Sequence, residues 1–180
     1  MVITTPRLII RPFRQSDLPG LEPLLGDPAV MEFSLRGPAT ADARAAWLAR
    51  AMRDNASQAL PGSLPGALPG ALAVEAARDA AVLGYVSLSR DASRLQPGEA
   101  ELGFRLVQEA WGHGFAREAA EAVISTYGSA YRIVALIDPS NRRSLRVVEK
   151  LGMQKSREVM LPGYDYPDLV YSRTGAMTAP

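Results

Sequence analysis

Residues 111–116 read Trp111-Gly112-His113-Gly114-Phe115-Ala116, and the segments on either side of them decide the fold. Upstream lies Glu101-Leu102-Gly103-Phe104-Arg105-Leu106-Val107, in which Leu102, Phe104 and Leu106 fall on one side of a strand of period two. Downstream, Ala116, Ala119, Ala120, Val123, Ile124 and Tyr127 form one face at helical spacing. That helix is expected to stop at Gly128, in the left-handed position past a helix end. Ile133-Val134-Ala135-Leu136-Ile137 is then an apolar run short enough for a buried strand. Strand, glycine loop, helix and strand make a βαβ unit whose loop opens a helix. The first N–H groups of such a helix lack intrahelical partners, and its dipole directs positive potential at them. With glycines to admit a phosphate, Gly112 to Ala116 is expected to be an anion site.

The chain has 180 residues, enough for one ordinary domain with a full core. Its apolar share of 47% and net charge of +1 favour neither a nucleic-acid binder nor a disordered tail. With no cysteine, disulfides, zinc-thiolate sites and a cysteine nucleophile are excluded; with His113 the sole histidine, so is a multi-histidine metal site. No metal is expected. Met1 to Phe13 lacks an apolar run fit for a signal peptide, and nothing later suits a membrane span, so the expected location is the cytoplasm.

The remaining segments frame this unit. Leu8 to Phe13 reads as a first strand, and Ser16-Asp17-Leu18-Pro19 as the capped start of a short helix through Leu25. Thr40 can cap a helix in which Trp47, Leu48, Ala51 and Met52 share a face. Leu60 to Ala71 repeats Leu-Pro-Gly in tandem, within an insertion at about 58–71. A solvent-exposed insertion is the preferred account of it over a lid. Leu72–Ala76 and Val82–Leu88 form a hairpin across Arg78-Asp79-Ala80. Asp138-Pro139-Ser140-Asn141 ends a strand and starts a helix with Leu145, Val148 and Leu151 inward and Gly152 at its close. Val159-Met160-Leu161 and Asp168-Leu169-Val170-Tyr171 are expected as a last pair of strands, with fraying after Thr174.

Three readings of the glycine loop compete. A P-loop needs Lys-Ser/Thr after the second glycine, and Phe115-Ala116 stands there instead. A dinucleotide fingerprint needs Gly or Ala where Arg117 lies, although Asp138 could serve as its ribose-binding acid. The third reading rests on three spaced motifs: Glu101-Leu-Gly-Phe104, the run Trp111-Gly-x-Gly-Phe-Ala-x-Glu-Ala119, and Pro139-x-Asn141-x-x-Ser144-x-x-Val147-x-Glu149-Lys150-Leu151-Gly152-Met153. Together they resemble the GNAT superfamily of acetyl-CoA-dependent N-acetyltransferases. The nearest likeness is to its RimJ/RimL branch, of which Thr5-Pro6-Arg7-Leu8-x-x-Arg11-Pro12 is also typical.

The resemblance implies an α/β single domain with a mixed, twisted central sheet of about six or seven strands and four main helices. It implies acetyl-CoA as co-substrate, its pyrophosphate on Gly112, His113, Gly114, Phe115 and Ala116. Trp111 is either packing or a cofactor contact. The pantetheine arm is implied to run beside Leu106 and Val107, with Asn141 near it and Arg146, in a cationic face with Arg142, Arg143 and Lys150, near the 3′-phosphate. Glu101 matches the branch's strand glutamate and is the candidate base, with Glu99 in reserve. Ser144 is the candidate to hold a water or protonate the thiolate. Val148 stands where many members carry a tyrosine acid.

The implied reaction is direct acetyl transfer to a primary amine, a protein N-terminus or a small molecule. Freeing a lysine amine of pKa ≈ 10.4 at neutral pH costs about 4–5 kcal/mol, against about 1 kcal/mol for an α-amine near 8. A weakly equipped site therefore serves an N-terminus more easily. The alternatives are a catalytically silent acyl-CoA sensor and a dinucleotide-binding oxidoreductase domain. No nucleic-acid or membrane partner is expected, and the assembly, monomer or homodimer, is left open.

Overall fold

The computed structural model describes residues 1–34, 36–58, 68–90, 94–163 and 165–174. The strands are β1 (Ile3–Thr4), β2 (Leu8–Arg11), β3 (Gly70–Ala76), β4 (Val82–Ser89), β5 (Glu99–Leu106), β6 (Arg132–Ile137), β7 (Gln154–Val159) and β8 (Asp168–Thr174). The α-helices among the described residues are α1 (Ala41–Gln58), α2 (Phe115–Tyr127) and α3 (Arg142–Lys150). The strands join in one eight-stranded sheet of order β1-β2-β3-β4-β5-β6-β8-β7. The strand beyond the expected six or seven is the short β1, which pairs Ile3 with Ile10. Every neighbouring pair is antiparallel except β5 and β6.

That exception shapes the molecule. β5 and β6 pair in parallel only at Glu99↔Arg132, Ala100↔Ile133 and Glu101↔Val134, and then part. On its other edge β5 stays paired to β4 as far as Gly84↔Leu106. Backbone groups alternate between the two edges of a strand, so half of those from Leu102 to Leu106 face the gap with no strand to receive them. The crossover between β5 and β6 is α2, whose Ala119, Ala120, Val123 and Ile124 are buried against the sheet.

Local chemistry explains the other elements. Thr40 Oγ1 accepts the Ala43 amide at 3.3 Å, which caps α1. Leu48 and Ala51 are buried, while Trp47 meets Phe13 edge-on at 5.2 Å. Within α1, Asn55 is buried with every group engaged across elements. Its Oδ1 accepts Phe13 N at 3.1 Å, and its Nδ2 donates to the carbonyls of Pro69 and Ala71 at 2.7 and 3.0 Å. On α3, Leu145, Val148 and Leu151 are inward, and Gly152 follows at φ +74°.

Several expectations are corrected. Gly128 is right-handed, with φ −84°, and opens a 3₁₀ turn, Gly128–Ala130. A Cβ there would lie 3.1 Å from Ile124 Cγ2 and 3.2 Å from Ile133 Cδ1, so space rather than dihedral freedom calls for glycine. The segment through Leu25 is a 3₁₀ helix, Gln15–Leu21, followed by a π turn, Glu22–Gly26. Pro19 and Pro23 each remove an amide from the α-helical ladder. The strand expected at Val159–Leu161 runs instead from Gln154 to Val159, and Met160 is exposed. Its residues are mostly polar because it is the sheet's edge. Most of the Leu-Pro-Gly repeat, residues 59–67, and the tail expected to fray, 175–180, lie outside the described residues, but the end of the repeat is not an exposed insertion: Leu68 is buried, and Gly70 and Ala71 pair with Leu88 and Ser87 as the start of β3.

Candidate active site

The parting of β5 and β6 opens a cleft of about 890 Å³ whose walls run from the glycine loop to the start of β8. Its size is in the range of small-molecule sites, about 300–1,000 Å³. At one end the chain leaves β5 through the turn Gln108–Ala110 and enters the glycine loop. Gly112 has φ +79° and Gly114 φ +81°, values that side chains rarely tolerate. The first α2 bond runs from Glu118 N to Gly114 O at 3.1 Å. The amides of Phe115, Ala116 and Arg117 therefore have no acceptor within the helix. A Cβ on Gly112 would meet nothing within 4 Å, so this side of the loop is open to a ligand.

The loop is held from outside. Trp111 Nε1 donates to the Leu106 carbonyl at 2.8 Å, and the Arg143 guanidinium lies 4.1 Å from the indole centroid. Trp111 thus both packs the loop and lines the cleft. Arg143 in turn bonds Glu32 at 3.2 Å. His113 is exposed, its carbonyl accepts Arg7 Nη1 at 2.9 Å, and it is not in the cleft wall. Gly112, Gly114, Phe115, Ala116 and Leu106 are in that wall; Val107 is not, since its amide turns back to Leu83 O at 2.9 Å.

Arg117, Arg143, Arg146 and Lys150 also line the cleft. Arg117, Arg146 and Lys150 have no ion-pair partner among the described residues. Asn141 caps α3, its Oδ1 accepting Ser144 N at 3.1 Å, and both side chains reach the wall. Val148 is fully buried, so that position offers no acid to the cleft.

The other end is acidic. Glu101 pairs with Arg94, Oε2 to Nη2 at 2.9 Å. Asp138, just past β6, accepts Ser140 N at 2.7 Å and Tyr166 Oη at 2.8 Å. Asp168, at the start of β8, is 7% exposed, and its Oδ1 has no hydrogen-bond partner among the described residues. Burial pushes the Asp168 carboxyl up from its ordinary range, the nearby charge of Asp138 adds to this, and Arg94 partly opposes it. Glu99 is elsewhere. It is 2% exposed, gripped by both Arg157 Nη atoms at 2.7 Å, and outside the cleft wall.

The structure thus gathers Glu101, Ser144, Asn141, Arg146 and most of the glycine loop around one cleft, and leaves His113 and Val107 outside it. Sequence reasoning missed Arg94, Arg117 and Asp168 and read Asp138 only as a ribose-binding acid. The helical spacing of Arg117 with the loop was a usable signal. Nothing local marked Asp168: β8 reaches the cleft because it enters the sheet beside β6, with Ile137 opposite Leu169. Among the described residues no group of three or more His, Cys, Asp or Glu is arranged to hold a metal ion.

Known proteins place this geometry in a family. The acetyltransferase (GNAT) domain model matches residues 7–154, and the chain belongs to that family. It is 40% identical over 77 residues to the uncharacterized protein YkkB of Bacillus subtilis, covering 41% of this chain and 43% of that protein. It is 38% identical over 72 residues to p20 of Bacillus licheniformis, an uncharacterized N-acetyltransferase, covering 38% and 39%. These matches span about two fifths of either relative. Among solved structures, a GNAT-family acetyltransferase from Bacillus anthracis superposes with TM-score 0.80 at 22% identity over 97% of this chain and 99% of that one. A ribosomal-protein-S5-alanine acetyltransferase from Vibrio fischeri superposes with TM-score 0.68 at 18% identity over the full length of both. The single-domain α/β fold with a mixed sheet is that of the family.

Proposed function

We propose that the cleft binds acetyl-CoA and that the chain transfers its acetyl group directly to a primary amine. The observation that carries this reading is the open amide cradle at Gly112–Ala116 set beside the unpaired edge of β5. The cradle fits a pyrophosphate, which needs close backbone N–H donors and a positive helix end. The edge of β5 fits the amides of a pantetheine arm laid alongside as a further strand. Arg117, Arg146 and Lys150 supply charge for the remaining phosphate, and Asn141 stands between the two regions.

Transfer needs an unprotonated amine, a polarised thioester carbonyl and a protonated leaving sulfur. Backbone amides at the parting of the strands can stabilise the carbonyl oxygen as charge develops on it. Ser144, in the cleft wall, gives a proton to the departing thiolate, whose pKa near 8.5 asks for only about 2 kcal/mol of help. Glu101 and Arg94 balance each other's charge at the acceptor end of the cleft, and Asp138 and Asp168 leave that end acidic, which favours an incoming ammonium ion. Direct attack is the consistent route, since no cysteine exists to carry the acetyl group.

The Thr5-to-Arg11 motif supports a place in the RimJ/RimL-like branch, with a protein N-terminus or a small amine as acceptor and the cytoplasm as location. The part of the Leu-Pro-Gly segment between α1 and β3 is then an insertion into that domain. The fully buried Val148 favours a second reading, an acyl-CoA sensor without turnover. Radiolabelled acetyl-CoA offered with a panel of amines decides between them. Label in an amine product supports transfer. Tight acetyl-CoA binding with no product supports the sensor, and stabilisation by NAD but not by acetyl-CoA overturns both.

A further inference from the structure

We infer that Asp168 receives the proton of the acceptor's ammonium group, and that the acceptor amine docks in the cleft against Asp168 and Asp138. This rests on the acetyl-transfer reading and adds to it the residue that makes the nucleophile. The second observation beyond the acidic cluster is the state of Asp168 itself. It is a carboxylate more than nine-tenths buried, it lines the cleft, and its Oδ1 has no hydrogen-bond partner among the described residues. Leaving a buried polar atom without a bond costs free energy, so a built site of this kind implies a donor that arrives with the ligand.

The groups around Asp168 sort the roles. Asp138 at the end of β6 is occupied by Tyr166 Oη and Ser140 N. Glu101 of β5 is held in an ion pair by Arg94, which lies in the segment before β5 and also acts on Asp168. On β7 the residue opposite Asp168 is the uncharged Val159. Asp168 is thus an acid of this end whose Oδ1 is left for a ligand, and burial together with the charge of Asp138 favours its protonated form. An α-ammonium near 8 is then deprotonated at modest cost.

The step balances without another reactant. One ammonium proton passes to Asp168, and the nitrogen lone pair forms the C–N bond while the C–S bond breaks. A second N–H proton replaces the one that Ser144 gives to the departing sulfur, giving the amide and CoA thiol, and Asp168 returns its proton to solvent.

The test uses the full chain and radiolabelled acetyl-CoA with an alanine-initiated peptide, a serine-initiated peptide, lysine, spermidine and kanamycin. For the accepted amine, kcat/KM is followed from about pH 5 to 9. Asp168→Asn is expected to lower kcat/KM about 100-fold or more and to abolish the acid limb, while acetyl-CoA binds within two-fold of wild type. Asp138→Asn is expected to keep that limb and move it to lower pH. An acid limb that survives in Asp168→Asn at the wild-type position, whatever the rate, overturns the assignment. So does an unmoved limb in Asp138→Asn, a readout that stands even if Asp168→Asn does not fold. Absence of transfer by wild type to every amine overturns the acetyl-transfer reading itself and this inference with it.

Discussion

Arg7 Nε donates to Glu118 Oε2 at 2.7 Å, tying the segment before β2 to the first turn of α2, the helix that the glycine loop opens. The same arginine reaches the His113 carbonyl through Nη1 and lies 4.6 Å from the centroid of Phe115. Thr5 Oγ1 donates to the other carboxylate oxygen of Glu118 at 2.6 Å. The Thr5-Pro6-Arg7 motif therefore acts as a brace, fixing the glycine loop from behind and leaving its amide face free. Arg7→Ala is expected to weaken acetyl-CoA about five-fold, near 1 kcal/mol, because Arg7 is half exposed and a surface pair contributes little more. Isothermal titration of both proteins with acetyl-CoA would check this, and equal affinities would show that the loop holds its shape without Arg7.

The glycines divide into two kinds, which alanine substitution separates. At Gly112 and Gly114 the added Cβ has room, its nearest neighbour being Arg7 Nη2 at 3.6 Å from Gly114, but the backbone is left-handed. Each alanine should cost about 1–2 kcal/mol in strain and, on the proposed placement of the pyrophosphate, should lower affinity as well, because the methyl projects beside the loop amides. Gly128→Ala has ordinary dihedrals and no space, so it should destabilise by roughly 1–3 kcal/mol with affinity unchanged. Melting temperature and acetyl-CoA affinity measured together would show whether the two kinds differ.

What was legible in the sequence follows the range of the interactions involved. β5, the loop, α2 and β6 could be read because each carries its own periodicity and the loop's glycines mark the joint. α1 was legible from Thr40 and its apolar face. β7 was not, because an edge strand needs no apolar pattern, and the helix through Leu25 could be read but not its type, because two prolines redirect its hydrogen bonds into 3₁₀ and π turns. The glycine-loop end of the cleft is local in sequence and could be read there. The acidic end joins Arg94, Glu101, Asp138 and Asp168 from four segments, and only the insertion of β8 beside β6 brings the last of them in.

Glu99 carries a prediction about acid stability. The bidentate hydrogen bonds from Arg157 hold its carboxyl below the ordinary range, outweighing burial, which acts the other way. A depressed folded-state pKa gives stability that is present above the unfolded value, about 4.3, and is lost as pH falls through the lower folded value. The melting temperature should therefore drop as the solution is acidified below about pH 4. Glu99→Gln leaves Arg157 facing a neutral amide in a nearly dry position, a loss of about 3 kcal/mol at neutral pH. Its acid transition should be shallower than that of wild type. Parallel curves for the two proteins down to the most acidic buffer would show that other carboxylates govern acid unfolding.

Asp168 should behave with the opposite sign. Its carboxyl is pushed up by burial and by Asp138, so the folded chain prefers it protonated. A raised carboxyl pKa gives stability that is complete below the unfolded value, near 3.9, and is lost as pH rises through the folded value. At neutral pH the burial of the Asp168 carboxyl is then a cost to folding. Asp168→Asn keeps the shape and removes the charge, so it should melt at a higher temperature than wild type at neutral pH. The gap should close as the pH is lowered toward 4, where wild type protonates as well. Calorimetric scans across this range measure it directly. A variant that melts lower than wild type at neutral pH would mean that the charged carboxylate is held by the fold rather than against it.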